Sequence, residues 1–295
     1  MKVLNIGSMN LDHVYTVDHI VLPGETQSSA KLQQFLGGKG MNQSVSLAKA
    51  GVEVYHGGMI GGDGEAFLEA CREYGIHAEH IGKIDAPTGH TIIQVDKNAQ
   101  NCILLYGGAN QMLTKDYIDK TISHFAQGDI LLLQNEVNLL PYIVERGAAQ
   151  GMKIVLNPSP FDDKLKEVDL SKISLFLLNE VEGFQLTGSK DPDEILKEMR
   201  VRFPQAAIVL TLGTQGAVYC DQEQRHFQPV FPVEAVDTTA AGDTFTGYFI
   251  AGLAENMSIP DILRMSAKAS SIAVSRAGAV PSIPYRNEVM SALAE

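Results

Sequence analysis

From residue 129 onward the chain alternates short, uninterrupted apolar runs with longer stretches of helical spacing. Asp129–Leu133, Ile154–Leu156, Leu175–Leu178 and Ile208–Leu210 are too short for buried helices and read as strands. A strand that is apolar on both sides is covered on both faces, and strands separated by helices run parallel. The runs end in Gln134-Asn135-Glu136, Asn157-Pro158, Asn179-Glu180-Val181-Glu182 and Thr211-Leu212-Gly213. A parallel sheet brings these polar endings to one edge, and that edge is where open α/β sheets bind ligands.

The N-terminal half fits the same plan with additions. Val3–Ile6 reads as a strand ending at Gly7-Ser8, with Asn10 and Asp12 just beyond it. At that position they are either ligand contacts at the rim or a polar turn. Val14–Val17 and Ser28–Phe35 read as two extended pieces around Pro23-Gly24. The segments 89–96 and 101–106 read as two more strands around a polar turn at 97–100. Together these pieces make a small sheet that protrudes from the main one, formed by insertions at about 13–36 and 88–107. Val52–Tyr55 is a further strand, followed by a glycine cluster and a helix over 65–74 that stops at Gly75. A helix containing Ile118, Ile122 and Phe125 comes next. Beyond the main strands, Ala217–Cys220 and Arg225–Phe227 form a strand pair, and a helix spans about 259–275. The stretch SRAGAVPSIP reads as a loop. With no internal repeat or linker, residues 1–295 are expected to form a single α/β domain, large enough for one substantial core.

Two glycine-rich stretches precede helical patterns. DTTAAGDTFTG, residues 237–247, sets small residues directly before a helix. The free N–H groups and positive dipole of a helix N-terminus favour an anion, and a carboxylate in the same turn can take a proton from a hydroxyl held nearby. That combination suits phosphoryl transfer to an alcohol. It is equally the pattern of a glycine turn with Asp243 as a first-turn carboxylate. LGGKGMNQ, residues 36–43, is another close approach of backbone to a ligand. It fits neither the dinucleotide glycine pattern, because Gln43 stands at the third glycine position, nor the phosphate-loop pattern. By default Lys39 is a solvated lysine and Asn42 a first-turn helix residue.

The formal charge of −12 argues against nucleic acid or an anionic membrane as the main partner. Three scattered cysteines, Cys71, Cys102 and Cys220, form no zinc or disulfide framework and point to a reducing cytoplasmic setting. MKVLNIGSMN reads as a strand rather than a secretion signal, and no run has the length of a membrane span. The eight histidines show no metal-binding spacing, and His13 reads as a packing residue.

Several motifs coincide in order. They are Gly7 to His13 (GSMNLDH), Gly37 to Gln43 (GGKGMNQ), NEVE at 179–182, TLGTQG at 211–216, Asp237 to Asp243 with Phe245, and GAVPSIP at 278–284. With them the sequence resembles the ribokinase (phosphofructokinase B-type) family of carbohydrate kinases over nearly its whole length. The resemblance implies a three-layer α/β sandwich with a central, mostly parallel sheet and a small β-sheet lid. It implies an ATP-dependent kinase acting on the primary hydroxyl of a sugar, with ATP, Mg²⁺ and a monovalent cation such as K⁺.

Residue by residue, the resemblance makes Asp243 the base and the N–H groups of Ala240, Ala241 and Gly242 the anion hole. Asn10, Asp12, Gly38, Lys39, Asn42 and Glu136 become sugar contacts. Asn179 and Glu182 become the pair that positions Mg²⁺ through water, and Thr211, Gly213 and Gly216 the ATP side. Asp237, Thr239, Ala273, Arg276, Gly278 and Ser282 become the monovalent-cation site. Residues 7–43 contain no arginine to neutralise a second phosphate, which favours a neutral sugar, with D-ribose first. 2-Deoxyribose, a ketohexose (fructose or tagatose) and a nucleoside stay open, because Met41, Gln33-Gln34-Phe35 and Leu104-Leu105-Tyr106 depart from the usual pattern. A non-catalytic sugar-binding regulator would have no need of the base, the glycine hole or the N-x-x-E element. Exposed lid edges and the family likeness together lead to an expected homodimer through the lids.

Overall fold

The computed structural model describes residues 1–98 and 100–295. In chain order the elements are β1 (Val3–Ile6), β2 (Asn10–Thr16), β3 (Lys31–Gly37), α1 (Lys39–Lys49), β4 (Val54–Ile60) and α2 (Glu65–Tyr74). Then come β5 (His77–Lys83), β6 (Gly89–Val95), β7 (Asn101–Tyr106), α3 (Lys115–Ile122), β8 (Ile130–Gln134), α4 (Leu140–Ala149) and β9 (Lys153–Asn157). The remainder is β10 (Leu175–Asn179), α5 (Glu180–Thr187), α6 (Pro192–Arg202), β11 (Ala207–Thr211), β12 (Gly216–Cys220), β13 (Arg225–Pro229), α7 (Ala241–Ala254), α8 (Ile259–Val274) and α9 (Arg286–Ala294).

Nine strands form the central sheet in the order β13-β12-β11-β10-β9-β8-β1-β4-β5. All neighbours pair in parallel except β11–β12 and β12–β13. Alternate residues of one strand serve opposite faces. Leu131 and Leu133 of β8 join the core beneath α3, α4 and α6, while Ile130 and Leu132 join the core beneath α1, α2, α7 and α8. The continuous apolar runs are thus consumed from both sides, which gives three layers. The chain reverses its direction of travel across the sheet at β1, which lies between β8 and β4. Such a reversal opens a crevice at the carboxyl ends of the strands.

The second sheet has four strands in the order β3-β2-β6-β7. β2 and β3 pair antiparallel, β2 and β6 parallel, and β6 and β7 antiparallel. Every residue of β7 is exposed. Of the turn expected at 97–100, Ala99 lies outside the described residues.

Three local expectations are corrected. The strand expected over 52–55 is β4, which runs on through Gly57 and Gly58 because their backbone pairs with Ile6 and Ile81. Ladder hydrogen bonds need no side chain, so the glycine cluster did not end the strand. β5 was not expected at all: HAEHIGK has no apolar run because it is an edge strand that pairs with β4 alone. After the proline-punctuated loop the chain forms α9, whose single buried residue, Val289, leaves little amphipathic signal.

Candidate active site

Two helices bring the centre of the site together. α1 and α7 pack closely enough that a Cβ on Gly247 would lie 2.2 Å from Ser46 Oγ, and Ser46 Oγ donates to the Thr244 carbonyl at 2.9 Å. At this separation two consecutive α1 amides reach the first turn of α7. Asn42 Nδ2 donates to Asp243 Oδ2 at 2.9 Å, and Gln43 Nε2 donates to Asp243 Oδ1 at 2.8 Å. Asp243 is 5% exposed. A buried carboxylate is tolerated where donors meet both oxygens, and these two do so. Asn42 is buried as well, and its Oδ1 has no partner. An orphan acceptor beside the carboxylate is suited to a ligand hydroxyl.

The connection between β1 and β2 forms the next wall. It lies directly on the start of α1, where Met41 N donates to the Ser8 carbonyl at 2.9 Å. Glu136, just past β8, accepts from Ser8 Oγ and, at 3.1 Å, from the Lys39 backbone N–H. Burial pushes the Glu136 carboxyl above the usual range, and Lys39 and Ser8 only partly oppose that. Burial works against the Lys39 ammonium too, but Asp243, Glu136 and Glu182 outweigh it and hold the group above its ordinary value. Lys39 is half-buried and lines the cavity beside Asp243, Asn179 and Glu182, so it is not a fully solvated lysine, although among the described residues its ammonium makes no ion pair. Asn10 Oδ1 accepts from Asn110 Nδ2 at 2.8 Å, and Asp12 Oδ1 accepts from Thr91 Oγ1 at 2.5 Å. Burial raises the Asp12 pKa against the opposing effects of Thr91 and His13. Gly38 caps α1 at a φ of 89°.

On the other side of Asp243 a cavity of about 210 Å³ is lined by Lys39, Asn179, Glu182, Thr211, Thr239 and Gly242, among others. That volume is below the roughly 300–1,000 Å³ of pockets that enclose a drug-sized ligand. It is large enough for a phosphate-sized group. No side chain caps α7, and Gly242 is exposed to the cavity. The Ala241 N–H instead points to the Thr238 carbonyl at 3.2 Å. Asn179 and Glu182 form a reciprocal cap on α5. Asn179 Oδ1 accepts from Val181 N and Glu182 N, while Glu182 Oε2 accepts from Asn179 N at 2.9 Å. Thr211 ends β11, and the turn after it contains Gly213 and Gly216 at φ of 51° and 129°.

Of the six residues expected to hold a monovalent cation, Asp237 and Thr239 precede α7, Ala273 lies in the last turn of α8, and Arg276, Gly278 and Ser282 lie in the connection from α8 to α9. Asp237 Oδ1 accepts from Thr239 N at 2.9 Å and from Thr239 Oγ1 at 2.5 Å, while Oδ2 accepts from Gly278 N at 3.0 Å. Burial would raise the Asp237 pKa, but these donors outweigh it and keep the carboxyl below its usual range. Ser282 is buried, and its hydroxyl donates to the Ala279 carbonyl at 2.7 Å. The Ala273 carbonyl accepts from Arg276 N at 3.0 Å, and the Arg276 side chain pairs with Glu288. Among the described residues no group of three or more His, Cys, Asp or Glu side chains is placed to hold a metal ion. A site made of carbonyls, one carboxylate and a hydroxyl contains no such group, and neither does water-mediated Mg²⁺ binding.

Sequence reasoning gave no role to Ser8, Thr91 and Asn110, which hold the expected contacts, or to Gln43. It placed Gln134 and Asn157 at the ligand-binding edge by their strand-end positions but assigned them no individual role.

The profile described as pfkB family carbohydrate kinase matches residues 1–286. A ribokinase of Haemophilus influenzae is 36% identical, over 98% of this chain and 97% of that protein. The crystal structure of ribokinase from Thermotoga maritima superposes with a TM-score of 0.90 at 32% identity, covering 100% of this chain and 99% of that one. Ribokinase of Arabidopsis thaliana, solved with ribose and ATP, superposes at 0.87 with 28% identity, covering 100% and 98%. Fold and relatives together define an ATP-dependent phosphotransferase whose acceptor is a hydroxyl group of a sugar. The chain belongs to the pfkB family of carbohydrate kinases.

Proposed function

We propose that the chain phosphorylates the 5-hydroxyl of D-ribose. The observation that carries this reading is the bond between Asn42 and Asp243. It places an amide suited to sugar hydroxyls, with a free acceptor, against the carboxylate that would take the proton. Asn10, Asp12, Gly38, Lys39 and Glu136 complete a polar wall for a small neutral sugar, and the relatives named ribokinase support D-ribose. Asp243 accepts the proton of the attacking hydroxyl, and the free N–H groups at the start of α7, with Gly242 foremost, stabilise charge on the transferring phosphoryl group. Lys39 contributes a positive charge between the two substrates.

Asn179 and Glu182 would hold Mg²⁺ through water, since their mutual cap leaves lone pairs on the carboxylate oxygens. Asp237, Ser282 and the carbonyls of Thr239, Ala273, Arg276 and Gly278 would hold K⁺. When bound, these cations supply positive charge that offsets the phosphates. The four-stranded sheet acts as a lid that keeps water away from the phosphoryl group. Its exposed Ile103, Leu104, Leu105 and Tyr106 support a homodimer through the lids, which would cover that face. A monomeric mass by light scattering would count against it. The acidic charge and the cysteine pattern support a cytoplasmic enzyme.

The test is ADP release with ATP and Mg²⁺ across D-ribose, 2-deoxyribose, fructose, tagatose and adenosine, with K⁺ or Na⁺ as the monovalent cation. Highest kcat/KM on D-ribose with K⁺ is expected. A hexose or nucleoside in first place would overturn the substrate. Equal rates with either cation would overturn the K⁺ site.

A further inference from the structure

The structure assigns a positioning role to Gln43: its amide, aimed by a buried chain of side chains, fixes the orientation of the Asp243 carboxylate. This rests on the reading of Asp243 as the base. Gln43 is fully buried on α1 and lines no part of the cavity beside Asp243. Its Nε2 donates to Asp243 Oδ1 at 2.8 Å and lies 3.1 Å from Asn157 Oδ1. Its Oε1 accepts from Gln134 Nε2 at 2.6 Å. Gln134 Nε2 also donates to Asn5 Oδ1 at 3.0 Å, and Asn5 Nδ2 donates to the Gly40 carbonyl at 2.7 Å and to Ser44 Oγ at 2.8 Å.

The direction of every amide in this chain is determined. A carboxylate and a backbone carbonyl can only accept, so Asp243 at one end and Gly40 at the other force nitrogen toward both. The intervening bonds are consistent only if Gln134 presents its nitrogen to Asn5 and Gln43 alike. Gln43 cannot turn its amide over without breaking its bonds to both Asp243 and Gln134. Asn42 differs, because its Oδ1 has no partner and its amide is free to answer to a ligand. The two donors on Asp243 therefore have separate tasks. Asn42, with its free acceptor, is the one that can answer to the sugar, whereas Gln43 ties the base to β1 and β8 through Gln134 and to β9 through Asn157.

A residue that acts only through the base changes turnover and leaves substrate affinity alone. In Gln43→Met, which keeps the volume and removes the donor, kcat is expected to fall about 10- to 100-fold, the loss of one hydrogen bond to a charged group. KM for sugar and for ATP should stay within about twofold, as expected when no ground-state contact is lost. The other charged groups around Asp243 and Lys39, namely Lys39 itself, Glu136 and Glu182, are unchanged in this variant, so the loss of turnover reports on the one donor.

Gln43→Glu decides the matter should the methionine variant fail to fold. A protonated Glu at this position still donates to Asp243, while an ionised one repels it. Its kcat should therefore fall as pH rises through a range where the parent holds steady. A parent-like pH profile and kcat in either folded variant, or a raised sugar KM with unchanged kcat, overturns the assignment. Asp243→Asn in parallel separates the two ideas. Full turnover there removes the base reading, whereas an inactive Asp243→Asn beside a fully active Gln43→Met removes only the role of Gln43.

Discussion

Asp243→Asn is expected to lower kcat by about 10³-fold, within the range for loss of a general base, while the protein stays folded. The local hydrogen bonds explain why the two effects separate. The substituted amide keeps an oxygen to accept from Gln43, whose own amide is locked by Gln134. Its new nitrogen faces Asn42, whose unpartnered Oδ1 lets that amide turn over and accept. Both bonds are thus restored in altered form, and stability should change by less than about 1.5 kcal/mol, the worth of one ordinary hydrogen bond. Circular dichroism and thermal melting check the fold, and single-turnover phosphorylation checks the chemistry. A folded variant with kcat within about tenfold of the parent would remove the proton-accepting role from this residue, since a general base is worth more than that.

Gly40→Ala should do the opposite and damage the scaffold first. A Cβ on Gly40 would lie 2.4 Å from Ser8 N, 2.5 Å from Gly7 C and 2.6 Å from Gly7 Cα. These are backbone atoms joining β1 to β2, so no rotamer change relieves the clash. Overpacking of this kind costs about 3 kcal/mol, or roughly 5 °C in melting temperature for a chain of this size. The displaced segment carries Ser8, the partner of Glu136, and leads into Asn10 and Asp12. Sugar KM should therefore rise along with the fall in stability. Gly62→Ala is the control, since nothing lies within 4 Å of a Cβ there and its melting temperature should match the parent. An unchanged melting temperature in Gly40→Ala would show that the β1–β2 connection yields more readily than this packing implies.

These two residues also show what the sequence could and could not convey. The layering was legible because Ile130–Leu133 and its counterparts are apolar on both faces, a pattern that only a covered parallel strand explains. Asp243, Asn42 and Lys39 were legible through their place in short motifs at helix starts. The contacts between those motifs were not, because Gln43 and Asp243 are 200 positions apart and meet only through the packing of α1 on α7. β5 and α9 were missed for a different reason. Elements at the periphery bury little, so their composition carries little periodic signal.

Asn10 and Asp12 belong to β2, and β2 is the strand through which the small sheet is joined to β1 and to α1 by way of β3. On the proposed reading, the residues that would grip the sugar belong to the same sheet that would cover it. Contacts to hydroxyls remote from the reacting oxygen contribute to closure as well as to affinity. A sugar missing one of those hydroxyls would then suffer in speed more than in occupancy, and without sugar little would hold the sheet shut around ATP. Water entering an open cleft would meet the nucleotide without the aligned arrangement needed to react, so recognition of the acceptor and protection of the donor would be one mechanical event.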